Sequence, residues 1–207
     1  ESHGLPIECD YGEEESLRVT KKRAEMAMEI ATPQFLVGFK CPADAAGEEL
    51  FRQSLVGERA CDILLGDSSP LYMRLYDEGL INGSFGGDFD QLPGAAYLYA
   101  GGECKEPERV ARAIMDEAAR LGREGVDETF YQQIRRANFG ASLRSLGSFE
   151  NVAVGMADGC FRGFDPYRFP EVYDSITKAD IEAFLQENVV EERRAISRLT
   201  PKSEAGA

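Results

Sequence analysis

Apolar and polar residues alternate along several short stretches of the chain, and a period of two predicts β-strands. In residues 24–30, the apolar residues Ala24, Met26 and Met28 alternate with polar ones such as Glu25. This is the pattern of a half-buried strand. Residues 34–40 are more continuously apolar and predict a second, more buried strand. Further strands are predicted at residues 82–89, 95–101 and 194–199.

Between the strands, apolar residues recur at helical spacing, and capping residues stand at the expected helix starts. Ser69 followed by Pro70 is typical of an N-cap with proline at the first helical position. Asp127 is a second candidate cap, and Thr177 with Asp180 forms a variant capping box. The predicted helices cover residues 48–66, 70–78, 107–122, 127–146, 148–160 and 181–189, with a loop at 165–169 and one helical turn at 170–175.

The order of these elements is two strands, two helices, two strands, a run of helices and a closing strand. Because strands adjacent in sequence come in pairs, antiparallel pairing is favoured. We therefore predict an α+β fold with a mainly antiparallel sheet and helices packed on one face. Residues 23–201 show no break in composition and are interpreted as one domain. Residues 1–22 are interpreted as a linker or disordered arm, and residues 202–207 as a tail.

The charge balance excludes one class of partner. The chain carries 23 Lys and Arg against 37 Asp and Glu, a net charge of −14. Nucleic-acid binding needs clustered basic residues, so a nucleic acid is not expected as a partner. No apolar run approaches the ~18 residues that a membrane-spanning helix requires, so no membrane association is expected.

The cysteines and the single histidine limit the available chemistry. The 5 cysteines are widely spaced and form no Cys-x-x-Cys pair, and the first residues do not show the basic-then-apolar pattern expected of a signal peptide. Reduced thiols in a cytoplasmic protein are therefore expected. The only histidine, His3, lies in the acidic first segment, so an imidazole base or a histidine-based zinc site is not expected. The chain starts at Glu1 rather than Met, which suggests a segment of a longer protein.

Other catalytic patterns are weak. The glycines of residues 83–87 lie in strand-like sequence without a following helix, so they favour a bulge over a phosphate-binding loop. Neighbouring carboxylates such as Asp77 and Glu78 are expected to be solvated surface groups. Four aromatic residues on two neighbouring strands are either core residues or the lining of a peptide groove: Phe85, Phe89, Tyr97 and Tyr99.

Several longer motifs occur in a fixed order along the chain. They are QFLVGFK at residues 34–40, SSPLYMRLYDEGLINGSF at 68–85, GVDETFYQQIRRANFGASLRSL at 125–146 and DSITKADIEAFLQENV at 174–189. This ordered set resembles one half of the insulinase/pitrilysin-type zinc metallopeptidases over nearly the whole chain. The resemblance implies the LuxS/mitochondrial-processing-peptidase-like metallohydrolase fold.

Enzymes of that family consist of two homologous halves, and the N-terminal half carries an inverted zinc motif, His-x-x-Glu-His. This chain lacks the motif, so it resembles the non-catalytic C-terminal half, here of a bacterial protein. The resemblance implies no catalytic or metal-binding residue and no cofactor in this chain, with zinc in the N-terminal half. The implied partners are that half, in the same protein or in a homologous subunit, and a peptide substrate.

The family's C-terminal half often contacts substrate through an Arg and a Tyr placed around a Gly-Leu step. That step matches Gly79 and Leu80, but the Arg position falls on Leu75 and the Tyr position on Asn82. The pair is therefore absent as such. The substrate-binding candidates around this step are Arg74, Tyr76, Asn82, Ser84 and Phe85.

Two alternatives to a domain of an active peptidase stay open at this stage. The longer protein could be an inactive homologue that acts as a scaffold or assembly subunit. The chain could also be an independent enzyme that uses carboxylates or a reactive cysteine.

Overall fold

A computed structural model describes residues 16–202, which form a five-stranded sheet with helices against it. The strand order across the sheet is β1-β5-β2-β4-β3. Strand β1 pairs in parallel with β5, and the other pairings are antiparallel. The strands are β1 Arg23–Met28, β2 Gln34–Cys41, β3 Gly86–Leu92, β4 Ala95–Glu103 and β5 Arg194–Pro201.

The helices follow the predicted order, and their caps act as expected. The side chain of Ser69 accepts a hydrogen bond from the Tyr72 amide, and Asp127 caps the next long helix through the Phe130 amide. The capping box of Thr177 and Asp180 is formed. The helices are α1 Gly47–Leu65, α2 Pro70–Asp77, α3 Pro107–Glu124, α4 Glu128–Ser145, α5 Phe149–Arg162, α6 Phe169–Ser175 and α7 Lys178–Asn188. A short 3₁₀ helix at Pro166–Arg168 occupies the predicted loop.

The two faces of the sheet differ sharply in burial. Alternate residues of the central strands β2 and β4 are buried beneath the helices, among them Val37, Phe39 and Leu98 at 0% exposure. Helix α1 packs closely on β3, where Gly57 lies against the ring of Phe89. The opposite face of the sheet carries no helix from the described part of the chain. The α+β class, the mainly antiparallel sheet and the one-sided placement of the helices are confirmed.

Two details of the strand prediction are wrong. Strand β1 pairs with β5 rather than with its neighbour in sequence, and all of its residues are exposed. Its alternating Met and Ala residues lie at the outer edge of the sheet, where there is no core to bury them. Residues 82–85 form a turn, so β3 starts at Gly86 rather than at Asn82. The predicted arm at residues 1–22 and the tail lie largely outside the described residues.

Candidate functional site

The predicted substrate-binding residues lie at the corner between helix α2 and strand β3. Helix α2 ends at Asp77, and Gly79 follows two residues later with a φ of 68°, which favours glycine because a side chain is strained there. Arg74 and Tyr76 are exposed on this short helix, and the Tyr76 ring stacks on Tyr72 with centroids 6.0 Å apart. The turn that follows brings Asn82 to the surface.

Asn82, Ser84 and Glu103 form a hydrogen-bonded network beside this turn. The Asn82 Nδ2 donates to Glu103 Oε2 at 2.9 Å, and its Oδ1 accepts from the Ser84 hydroxyl at 2.6 Å. The Ser84 Oγ in turn accepts from the Glu103 amide at 2.9 Å. The network therefore ties the turn to the end of strand β4. The turn and the end of strand β4 approach closely only because residue 102 is a glycine. A Cβ at Gly102 would lie 2.8 Å from the Cα of Phe85.

Phe85 differs from the other candidates because it belongs to the core. Its side chain is 7% exposed and stacks on Phe35 with centroids 6.4 Å apart. Phe89 is equally buried and meets Phe184 edge to face. Tyr97 lies instead on the open face, as does Tyr99. The four aromatic residues on these strands are therefore split between the core and the open face.

The open face of the sheet holds a cavity that the sequence did not reveal. The cavity has a volume of about 650 Å³ and contains two tyrosine rings whose centroids are 5.9 Å apart, Tyr97 and Tyr99. Desolvation, together with the nearby Asp90 and Asp88 carboxylates, raises the pKa of Tyr99, so its phenol stays neutral. In the sequence, only the alternation of Tyr97 and Tyr99, which places both rings on one face of the strand, pointed to this cavity. Other lining residues are Leu36, Gly38, Lys40, Asp90, Arg193 and Ala195.

Two carboxylates of helix α1, Glu58 and Asp62, lie in environments that affect their ionisation. Desolvation, with Asp88 and Asp62 nearby, raises the pKa of Glu58 to about 7, although this side chain keeps contact with solvent, which screens the effect. The Asp62 Oδ2 accepts from Asn138 Nδ2 at 2.7 Å. Within residues 16–202, no group of three or more His, Cys, Asp and Glu is placed to hold a metal ion.

The cysteines of the core also lack the features of a nucleophile. Burial raises the pKa of the Cys41 thiol to about 11 and raises that of Cys61 as well. Such thiols stay protonated near neutral pH and react slowly. Across the described residues, no helix is both long enough and apolar enough to cross a membrane.

Comparisons with known proteins agree with this fold. A family model for the peptidase M16 inactive domain matches residues 10–138. The uncharacterised zinc protease YmfH of Bacillus subtilis is 28% identical over 186 residues, which are 89% of this chain and 43% of that protein. A solved structure described as an M16-like peptidase, from Alicyclobacillus acidocaldarius, is 26% identical with a TM-score of 0.85, covering 92% of this chain and 46% of its own.

A protease from Helicobacter pylori shares the fold with a TM-score of 0.80 at 14% identity, over 96% of this chain and 48% of that one. The chain thus spans less than half the length of each of these relatives. The resemblance drawn from the ordered motifs is confirmed. The chain belongs to the family of peptidase M16 inactive domains.

Proposed function

We propose that this chain packs on a zinc-bearing half, in the same protein or in a homologous subunit, and lines a peptide chamber with its open sheet face. The asymmetry of the sheet carries the proposal. Helices cover one face, whereas the other is open and holds the cavity of about 650 Å³. Relatives such as YmfH, which is named a zinc protease, have more than half of their length outside the matched segment.

The chemistry of the open face suits an extended peptide. The rings of Tyr97 and Tyr99 offer flat apolar surface with polar tips, beside the exposed side chain of Leu36. Lys40 and Asp90 place charges of both signs at the same cavity. Strand β3 lies at the end of the sheet, where an extended segment could add by backbone hydrogen bonds.

The proposal assigns the zinc chemistry to the other half. Zinc sites in proteins use His, Cys and carboxylate donors in close groups, and the described residues of this chain form no such group. No step of hydrolysis is therefore assigned to the donors of residues 16–202. The role of this chain is to bind and orient the peptide and to exclude water from the chamber.

A second candidate is a scaffold or assembly subunit in an inactive homologue. The observation that favours it is the burial of Leu75, which is 1% exposed in the core. The position at which the family often carries a substrate-binding arginine is thus occupied by a buried leucine, which offers no charge to a substrate. In this case the other half would lack His-x-x-Glu-His, and the assembled protein would not hydrolyse peptides.

Asn82→Trp tests whether the corner between α2 and β3 faces the substrate. The substitution removes hydrogen bonds to Glu103 and Ser84 at a cost of about 1 kcal/mol in stability and adds bulk at an exposed site. We expect KM for a peptide to rise several-fold in the longer protein while the domain stays folded. Glu187→Trp, on the exposed side of α7 behind the sheet, is the matched control and should leave KM unchanged. Equal kinetics for both variants would remove Asn82 from the site.

The proposed function itself is tested by recombining the two halves. The 207-residue chain is mixed with the separately expressed zinc-bearing half, and zinc content and hydrolysis of a peptide library are measured. We expect zinc in the partner half and turnover in the mixture, with neither in this chain alone. Stoichiometric zinc and turnover in this chain alone would overturn the proposal, and an inactive mixture without zinc would favour the scaffold role.

The cysteines support a proposal for the cellular compartment. A cytoplasmic protein would keep the cysteines reduced, and the described ones, Cys41, Cys61, Cys104 and Cys160, are free thiols. We propose a cytoplasmic location on this basis.

A further inference from the structure

Helix α5 carries large apolar side chains that point into solvent. Phe149 is 90% exposed and Phe161 is 89% exposed, and Val154 and Met156 are exposed as well. We name these four residues the α5 face. A helix that is apolar on its outer side is normally buried against another element. An exposed apolar patch of this kind marks an interaction surface.

The helical geometry shows that the α5 face is separate from the side that holds α5 to its own domain. Phe149 and Met156 lie two turns apart along one line of the helix, and Val154 and Phe161 lie two turns apart along a second line, roughly 140° around the axis from the first. The attached side is marked by Gly159, the one buried residue of this fully described helix. A Cβ at Gly159 would lie 2.7 Å from the carbonyl oxygen of Phe164, so the helix is seated tightly there.

The end of α4, which precedes α5 in the chain, also exposes apolar side chains. Leu143 and Leu146 are 49% and 56% exposed at this end. Two charged side chains, Arg144 and Glu150, are exposed beside them, and Asp158 of α5 is paired with Arg162, their Oδ1 and Nε atoms 3.1 Å apart. Apolar side chains are thus exposed both on α5 and at the end of α4.

The open sheet face has a different character. Its cavity is lined by Lys40, Asp90 and two tyrosines, groups that interact well with water or with a polar chain. The α5 face lacks such groups and gains from being kept dry. The two uncovered surfaces of the molecule are thus suited to different tasks, one to a solvated chamber and the other to a permanent contact.

We propose that the α5 face is the dry contact by which this chain docks on the zinc-bearing half, an inference that rests on the proposed function. The relatives carry more than half of their length outside the segment matched here, so a covering element of sufficient size exists in such proteins. A second copy of this chain is a poorer occupant. It would bring another net charge of −14 to the contact, and like charges oppose association.

The test is the affinity of the 207-residue chain for the separately expressed zinc-bearing half, measured by calorimetry. Phe149→Glu combined with Phe161→Glu places two charges in the proposed contact without disturbing the core, because both side chains are about nine-tenths exposed. We expect binding to weaken by about 100-fold or more, as for central residues of an interface. The control combines Ala119→Glu and Ala183→Glu, exposed positions on α3 and α7 that add the same charge, and should bind like the unmodified chain.

Each other outcome overturns a definite part of the inference. Equal binding by the Phe149→Glu/Phe161→Glu variant and the control would reject the α5 face and leave the proposed function standing. If the unmodified chain does not bind the zinc-bearing half, the proposed function fails and the inference fails with it. If sedimentation shows a dimer of this chain that the Phe149→Glu/Phe161→Glu variant abolishes, the occupant is a second copy and not the zinc-bearing half.

Discussion

Replacing Tyr173 by alanine is expected to destabilise the chain by about 3–5 kcal/mol, because it opens a cavity beside a buried guanidinium that has no hydrogen-bond partner among the described residues. Arg59 of helix α1 is 1% exposed, and none of its guanidinium nitrogens finds a hydrogen-bond partner among the described residues. Its Cζ lies 3.8 Å from the centroid of the Tyr173 ring. This cation–π contact adds to the Coulomb attraction between Arg59 and the Glu58 carboxylate. Such contacts are worth about 2 kcal/mol or more when desolvated.

Two further substitutions show which groups stabilise this contact. One separates the contribution of the Tyr173 ring from that of its hydroxyl, and the other separates the charge of Arg59 from the packing of its side chain. Tyr173→Phe keeps the ring and loses the hydrogen bond that the hydroxyl donates to the Arg135 carbonyl at 2.6 Å, so a cost of about 1 kcal/mol is expected. Arg59→Met removes the buried charge while filling a similar volume. It should be neutral or stabilising, because a buried charge is costly to desolvate.

Urea unfolding of the 207-residue chain and these variants measures the differences in free energy. The decisive comparison is Tyr173→Ala in the Arg59→Met background. There the loss of unfolding free energy should be smaller, because no buried charge remains beside the space that the Tyr173 ring leaves. If Tyr173→Ala costs the same in both backgrounds, the ring contributes by packing alone. If Arg59→Met strongly lowers the free energy of unfolding, the guanidinium group makes stabilising interactions in the native protein.

Gly57→Ala is expected to destabilise the chain by about 1–3 kcal/mol, although alanine favours helices over glycine by about 1 kcal/mol. A Cβ at Gly57 would lie 2.4 Å from Cδ1 of the Phe89 ring, which is closer than real contacts allow. Phe89 cannot move easily, because it is 7% exposed and meets the Phe184 ring at 5.5 Å. Helix α1 would have to shift away from β3.

The matched control for this prediction is Gly155→Ala in α5. A Cβ at Gly155 meets nothing within 4 Å, so the same change should stabilise by up to about 1 kcal/mol. The two variants are therefore expected to shift the urea midpoint in opposite directions. Phe89→Leu should relieve part of the cost of Gly57→Ala, and strict additivity of the two changes would contradict the proposed clash.

Much of the local structure could be predicted because its causes are local. The caps Ser69, Asp127 and Thr177 form their hydrogen bonds within three residues, so a reader of the sequence sees every participant. The buried strand at residues 34–40 was equally clear from its apolar run. Helix α5 was predicted despite Gly155 and Gly159, but its exposure was not, because a helical pattern does not show which side finds a partner.

The candidate site could be predicted in part. The Gly79-Leu80 step indicated the corner between α2 and β3, where Asn82 and Ser84 form a hydrogen bond. The third member of their network, Glu103, lies 21 residues from Asn82 in sequence. No local pattern connects such residues. The division of the aromatic residues between core and open face likewise depended on the register of β3 against β4.

Local patterning in the amino-acid sequence was thus sufficient for the order of the helices and strands and for the α+β class, and composition limited the chain to a single histidine. Those properties depend on hydrophobic period, capping and composition, which act over a few residues or over the whole chain at once. The tertiary structure decided three other features: the parallel pairing of β1 with β5, the cavity at Tyr97 and Tyr99, and the burial of the Arg59 charge. Each depends on contacts between segments far apart in sequence, whose geometry is set only when the sheet closes against its helices.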